Sequence, residues 1–297
     1  MINKIKISPY GNMLVYQKGY TAEFVKDTIN KNNLEGLRIF DHLDRLESLD
    51  FLKKYTFLKK LHIDCVYDQD YSFLRDLYNL EDLTIGGSIT NINEINLSNQ
   101  QNLKKLGITW RKKITGIENC IKLTWLTLVE FKEKDLQKIA SLTNLINLYI
   151  KTATIETLSG IENLTNLQNL NIGACKRLQS IKGISLLSKL KELHLEMCPN
   201  IKNYEEIKNL PQLETLKFIN CGKIASIKFI ETLPALSKLS LLANTVVVDG
   251  DLVPAKHIKW VAYKPYKHYN IKIENPDLDL ITKRNMEKIK SWGTNNG

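Results

Sequence analysis

Leucine returns in this chain at a nearly fixed interval. The triplet Leu-x-x-Leu-x-(Leu/Ile) starts at Leu34, Leu58, Leu80, Leu103, Leu123, Leu145, Leu167, Leu190, Leu213 and Leu236, with Phe218 standing at the last place of one copy. A degenerate further copy follows as Ile258, Val261 and Tyr263. Successive starts lie 20 to 24 residues apart. A unit that short cannot bury an apolar face by itself, so the copies must stack and share one core.

The Leu-x-Leu alternation inside each triplet has the period of a half-buried strand, which places residues such as Leu193 and Leu195 inward and their neighbours outward. In the unit that starts at Leu213, Ile224, Ile227, Ile230 and Leu233 follow at steps of three, the spacing of a tight 3-10 or helical return on the opposite side. Residues 34–266 therefore read as one solenoid. Its raw ends call for caps. Residues 1–33 are expected to form a hairpin-like pair, IKIS and MLVY, then a short helix over about 21–30. Residues 267–297 are expected to form an extended NIKIE and a helix with Asn275 at its N-cap, Pro276 at its first position, Gly293 past its end, and Trp292 closing the last apolar layer.

These units resemble leucine-rich repeats of the 22-residue class found in internalins and in phosphatase-regulatory subunits. The resemblance implies an α/β right-handed solenoid, a horseshoe or arc with a parallel concave sheet and a convex side of 3-10 or helical turns. It also implies a role for the ninth residue of each unit, where the family carries Asn or Cys turned inward to hydrogen-bond the backbone of the turn leaving the strand. That place holds Cys175, Cys198, Cys221 and Asn244 in four successive units, and His42, Val66, Ser88, Arg111, Phe131 and Ala153 in the earlier ones, whose turns should be irregular. Stacked strands about 4.8 Å apart put Cys175 and Cys221 about 10 Å from each other, too far to share a tetrahedral zinc. No metal site is expected.

In this family the concave face is the usual contact surface. The outward positions there include Lys105, Trp110, Trp125, Glu130, Tyr149 and Lys151, then Glu192, His194 and Glu196, and finally Lys217, Lys238, Trp260 and Lys264. Large rings facing water mark a covered surface, and Trp and Tyr are common interface anchors. Trp125 and Tyr149 fall on adjacent strands two positions apart, about 8 Å on strand geometry. The other reading is that these rings pack on one another and on lysine stems.

Chemistry is sparse. The chain has no H-E-x-x-H, no G-x-S-x-G, no phosphate loop and no C-x-x-C. His62 and His194 stand about 29 Å apart, too far for a shared role. Nothing calls for a cofactor. The net charge is +10, with half the excess in residues 255–297, which reads as a solvated lysine-rich surface rather than a nucleic-acid stripe, while a basic concave face would suit an acidic partner. Five cysteines, no signal-like N-terminus and no long apolar run lead to the expectation of a cytoplasmic monomer that engages no membrane.

The expected function is non-enzymatic protein–protein interaction. Resemblance to orphan bacterial repeat proteins without a catalytic domain implies an immunity or neutralising protein against a toxin or enzyme. The alternative is a regulatory scaffold that directs a phosphatase or other enzyme without inhibiting it.

Overall fold

The computed structural model describes residues 5–9, 11–42, 45–87 and 93–273. The helix expected after Asn275, with Trp292, lies outside the described residues, as does Ser88.

A parallel sheet of twelve strands in simple sequential order runs the length of the molecule. The strands are β1 (Met13–Val15), β2 (Gly36–Phe40), β3 (Lys60–Asp64), β4 (Asp82–Ile85), β5 (Lys105–Thr109), β6 (Trp125–Val129), β7 (Asn147–Lys151), β8 (Asn169–Gly173), β9 (Glu192–Glu196), β10 (Thr215–Ile219), β11 (Lys238–Leu242) and β12 (Trp260–Tyr263). Each of β2 to β12 is the centre of one repeat, and the pairing register aligns the repeats residue for residue, as in Leu170 opposite Leu193 and Leu193 opposite Leu216. The fold is an open leucine-rich-repeat solenoid.

The first, fourth and sixth residues of each repeat turn into the core. Leu190, Leu193 and Leu195 are fully buried, and so are their counterparts along almost the whole stack. The return passes through short 3-10 turns such as Ser72–Asp76, Ile161–Asn163 and Lys228–Thr232. The return residues Ile224, Ile227, Ile230 and Leu233 are buried, each supplying a rung against the next repeat.

The N-terminal end is closed by a cap. Residues 5–8 run antiparallel to β1, with Ser8 N–H donating to the Met13 carbonyl at 2.9 Å and Val15 N–H to that of Lys6 at 2.9 Å. The single α-helix among the described residues, α1 (Ala22–Lys31), starts at Thr21, whose Oγ1 accepts from Phe24 N–H at 3.1 Å, and it buries Val25 over the first apolar layer.

The exit from the strand takes two forms, and the difference decides which side chains face inward. In the six repeats starting from Leu123 to Leu236 the eighth residue is left-handed: Glu130, Thr152, Ala174, Met197, Asn220 and Ala243 all have φ between 52° and 58°. Gly87 holds the same place at φ 90°. This bend interrupts the alternation, and in the repeats from Leu123 to Leu213 the ninth residue becomes the inward one. Repeats starting at Leu34, Leu58 and Leu103 lack the bend. Strand alternation there continues one step further and buries the eighth residue: Asp41, Cys65 and Trp110.

Candidate functional site

Three expectations about individual side chains change with this geometry. Trp110, expected on the concave surface, is 4% exposed and packs edge-on against Phe131 with ring centroids 4.6 Å apart. Its place follows from the unbent exit, since Leu106, Ile108 and Trp110 share one side of the strand. Asn244, expected to continue the cysteine series, is exposed. A turn closed by Thr245 N–H to the Leu242 carbonyl at 3.2 Å adds one residue there, and Thr245 becomes the inward member.

The inward series does satisfy backbone groups. Cys175 Sγ lies 3.4 Å from the Gly173 carbonyl. Cys198 Sγ lies 3.7 Å from the Ile172 carbonyl and 3.3 Å from that of Glu196, and Cys221 Sγ lies 3.2 Å from that of Leu195. Thr245 Oγ1 repeats the bond by donating to the Phe218 carbonyl at 3.1 Å, and it also accepts Cys221 N–H at 3.1 Å. All five cysteines are free and buried. Burial pushes the Cys65 and Cys120 thiols up to about 12. Hydrogen bonding to Cys175 and burial raise that of Cys198. No cluster of His, Cys, Asp or Glu suited to a metal ion occurs among the described residues.

The concave sheet presents three outward rows, at the third, fifth and seventh places of each repeat. Its first third is an ion-pair network. Arg38 meets Asp64 at 3.0 Å, Lys60 meets Glu35 at 2.6 Å and Asp82 at 3.5 Å, and His62 Nε2 stands 3.2 Å from Asp82. Burial pushes Asp82 up, but its bond to His62 and the charges of His62, Lys60 and Lys105 outweigh that and hold it below the usual carboxylate value.

At the centre, Trp125 on β6 and Tyr149 on β7 stack with ring centroids 4.9 Å apart and planes 21° from parallel. Tyr149 is opposite Thr127 in register, so Trp125 reaches it diagonally, and the rings lean closer than their backbone positions. Trp125 remains 38% exposed, and its Nε1 donates to Thr127 Oγ1 at 3.3 Å. The rings therefore pack on one another and still offer a face to solvent. Burial, with Glu192 adding, raises the Tyr149 hydroxyl above its ordinary value. Lys105 and Lys151 are exposed beside the pair. Glu130 is not on a strand: it sits in the bent exit, where its carboxylate pairs with Lys132 at 2.5 Å.

Beyond the rings lies a polar band. Asn169 Nδ2 donates to Asn147 Oδ1 at 2.7 Å, and Asn171 Nδ2 stands 2.9 Å from His194 Nδ1. An amide NH2 can only donate, so His194 Nδ1 accepts and Nε2 carries the proton, 4.0 Å from Glu196 and without a hydrogen-bond partner. Burial and then the Lys217 ammonium hold His194 below its usual value, leaving it neutral at pH 7. Glu192 is exposed, and Trp260, at the far end on β12, is half-buried opposite Lys238.

A family profile described as the leucine-rich-repeat domain of the endo-beta-N-acetylglucosaminidase EndoS matches residues 137–244, well under half the chain. Among solved structures, an internalin (inlF) from Listeria monocytogenes is 22% identical with a TM-score of 0.59, over 77% of this chain and 72% of that one. The leucine-rich-repeat domain of the type III effector XopL is 17% identical with a TM-score of 0.52, over 78% of this chain and 84% of that one. No curated protein sequence matches the chain. The shared feature is the fold, a leucine-rich-repeat solenoid similar in architecture to that of the internalin. None of the helices among the described residues is long and apolar enough to cross a membrane.

Proposed function

We propose that this protein is a non-enzymatic binding module whose concave face grips a partner protein, and that it acts in the cytoplasm as an immunity or neutralising factor covering the active site of a toxin or enzyme. The observation that carries the reading is the exposed Trp125–Tyr149 stack at the middle of a curved, continuous sheet. Two rings held rigid against each other lose little side-chain freedom on contact, which is what an interface anchor requires. The surroundings supply hydrogen-bonding amides and charges without a nucleophile beside a base.

A photo-crosslinking residue in place of Tyr149, introduced in the native cell, tests the reading against the same residue in place of Lys208 in the return turn Glu205–Asn209. A discrete adduct from the first position alone is expected. Equal adducts from both, or none from the concave position, would overturn it. Assaying the captured partner then separates the roles: a neutraliser abolishes turnover, whereas a directing scaffold leaves it intact.

A further inference from the structure

Charge on the concave sheet is unevenly satisfied. Every charged side chain of the face from β2 to β4 is engaged in the network of Arg38, Lys60, His62, Asp64 and Asp82. From β5 onward, Lys105, Lys151, Lys217 and Lys238 have no ion-pair partner among the described residues, and the only carboxylates on this part of the strands are Glu192 and Glu196.

Two of these lysines share a floor of hydroxyls. Strands β10 and β11 set Thr215 opposite Lys238, and Lys217 opposite Ser240. The four side chains occupy the corners of one rectangle, lysines on one diagonal and hydroxyls on the other. With strands about 4.8 Å apart and a rise of about 3.3 Å per residue, each diagonal spans about 8 Å between α-carbons, within reach of two lysine side chains converging on one group. Thr215 is 8% exposed and Ser240 3%, and neither hydroxyl bonds another described residue. Lys217 is half-buried. The two hydroxyls are not sealed from water, and with the Lys217 and Lys238 ammonium groups they stand as donors open to an acceptor brought by a ligand.

We propose that Lys217, Lys238, Thr215 and Ser240 form an oxyanion site that receives a carboxylate side chain of the partner protein. Two ammonium groups and two hydroxyls provide one charged and one neutral donor for each oxygen of a carboxylate. Glu192, opposite Thr215 on β9, leaves the site a net charge near +1, which matches a monoanion and disfavours a phosphate dianion. Neutral His194 beside Lys217 adds no competing charge. The inference rests on the concave face being the contact surface and specifies the acidic group it takes.

The test uses the full chain and a blocked hexaglutamate peptide, titrated calorimetrically at low salt with hexaglutamine as comparison. Hexaglutamate alone should bind. The K217Q/K238Q variant should lose at least tenfold in affinity and T215V/S240A severalfold, while K208Q/K256Q, which removes the same two charges elsewhere, should stay within twofold. Melting curves of each variant separate loss of the site from loss of the fold. Equal loss in the control pair, no loss in K217Q/K238Q, or no preference for hexaglutamate overturns the site, and inorganic phosphate binding more tightly there overturns the carboxylate assignment. The peptide assay needs no partner. Its failure leaves the aromatic anchor standing, whereas absence of a Tyr149 adduct removes the contact surface itself.

Discussion

Thr152 is a β-branched residue at φ 56°, a conformation its side chain resists and Asn tolerates. Its side chain is exposed. Only its backbone is engaged, through Thr152 N–H to the Gly173 carbonyl at 2.9 Å. Replacing it with Asn should therefore stabilise the protein by about 0.5–1 kcal/mol, read as a raised denaturation midpoint. The buried thiols make the opposite kind of residue, essential to the interior and silent at the surface. Cys175, Cys198 and Cys221 should resist a thiol reagent until the chain unfolds, and Cys198→Ala should cost about 1–3 kcal/mol through a lost contact and unpaired carbonyls. Rapid native labelling of all three would contradict that placement. The cysteines could be read from the sequence because three repeats agree in spacing. The fourth member could not, because an inserted residue before Thr245 shifts the place while Asn244 imitates the expected one.

At the scale of the strand and its exit turn, the bend at the eighth residue is the deciding device, and it has no sequence signature. Glu, Thr, Ala, Met and Asn all occupy it, which is why the inward turn of Trp110 was not legible while the Leu-x-Leu strand beside it was. Gly87 is the one place where chemistry enforces the bend: a Cβ there would stand 1.8 Å from the Cys65 carbonyl oxygen, so Gly87→Ala should cost more than about 1 kcal/mol in chemical denaturation. The ion-pair network of β2 to β4 carries a pH prediction. Asp82 has its folded-state value depressed, so its contribution is present above the unfolded aspartate value of about 3.9 and is lost as pH falls through the lower folded value. Stability should drop below about pH 4, and Asp82→Asn should flatten that part of the profile.

For the whole molecule, the solenoid and its parallel sheet were legible, because ten near-identical spacings admit few other folds. The centre of the candidate surface was half legible: adjacent strands and a two-residue offset brought Trp125 and Tyr149 together, but their stacking depends on side-chain lean that spacing does not encode. Changing both rings to Ala removes no core layer. It forfeits one stacked pair, so stability should fall by about 0.5–1.5 kcal/mol, while partner affinity should fall at least thirtyfold, equivalent to about 2 kcal/mol. Lys208→Ala should leave both unchanged, and an unfolded double variant would recast the rings as packing residues.

The shared bend of the later repeats has a consequence for how such a chain can grow and shrink. Excising residues 175–197 would join Ala174 to Cys198, carrying a left-handed exit straight into an inward cysteine with every strand still in phase. Between Leu103 and Leu123 no such cut exists, since one repeat exits unbent and the next bent. The rear of the molecule is thus a set of interchangeable parts that duplication or deletion can edit one repeat at a time, whereas a cut that joins an unbent exit to a bent one turns the wrong side chain inward.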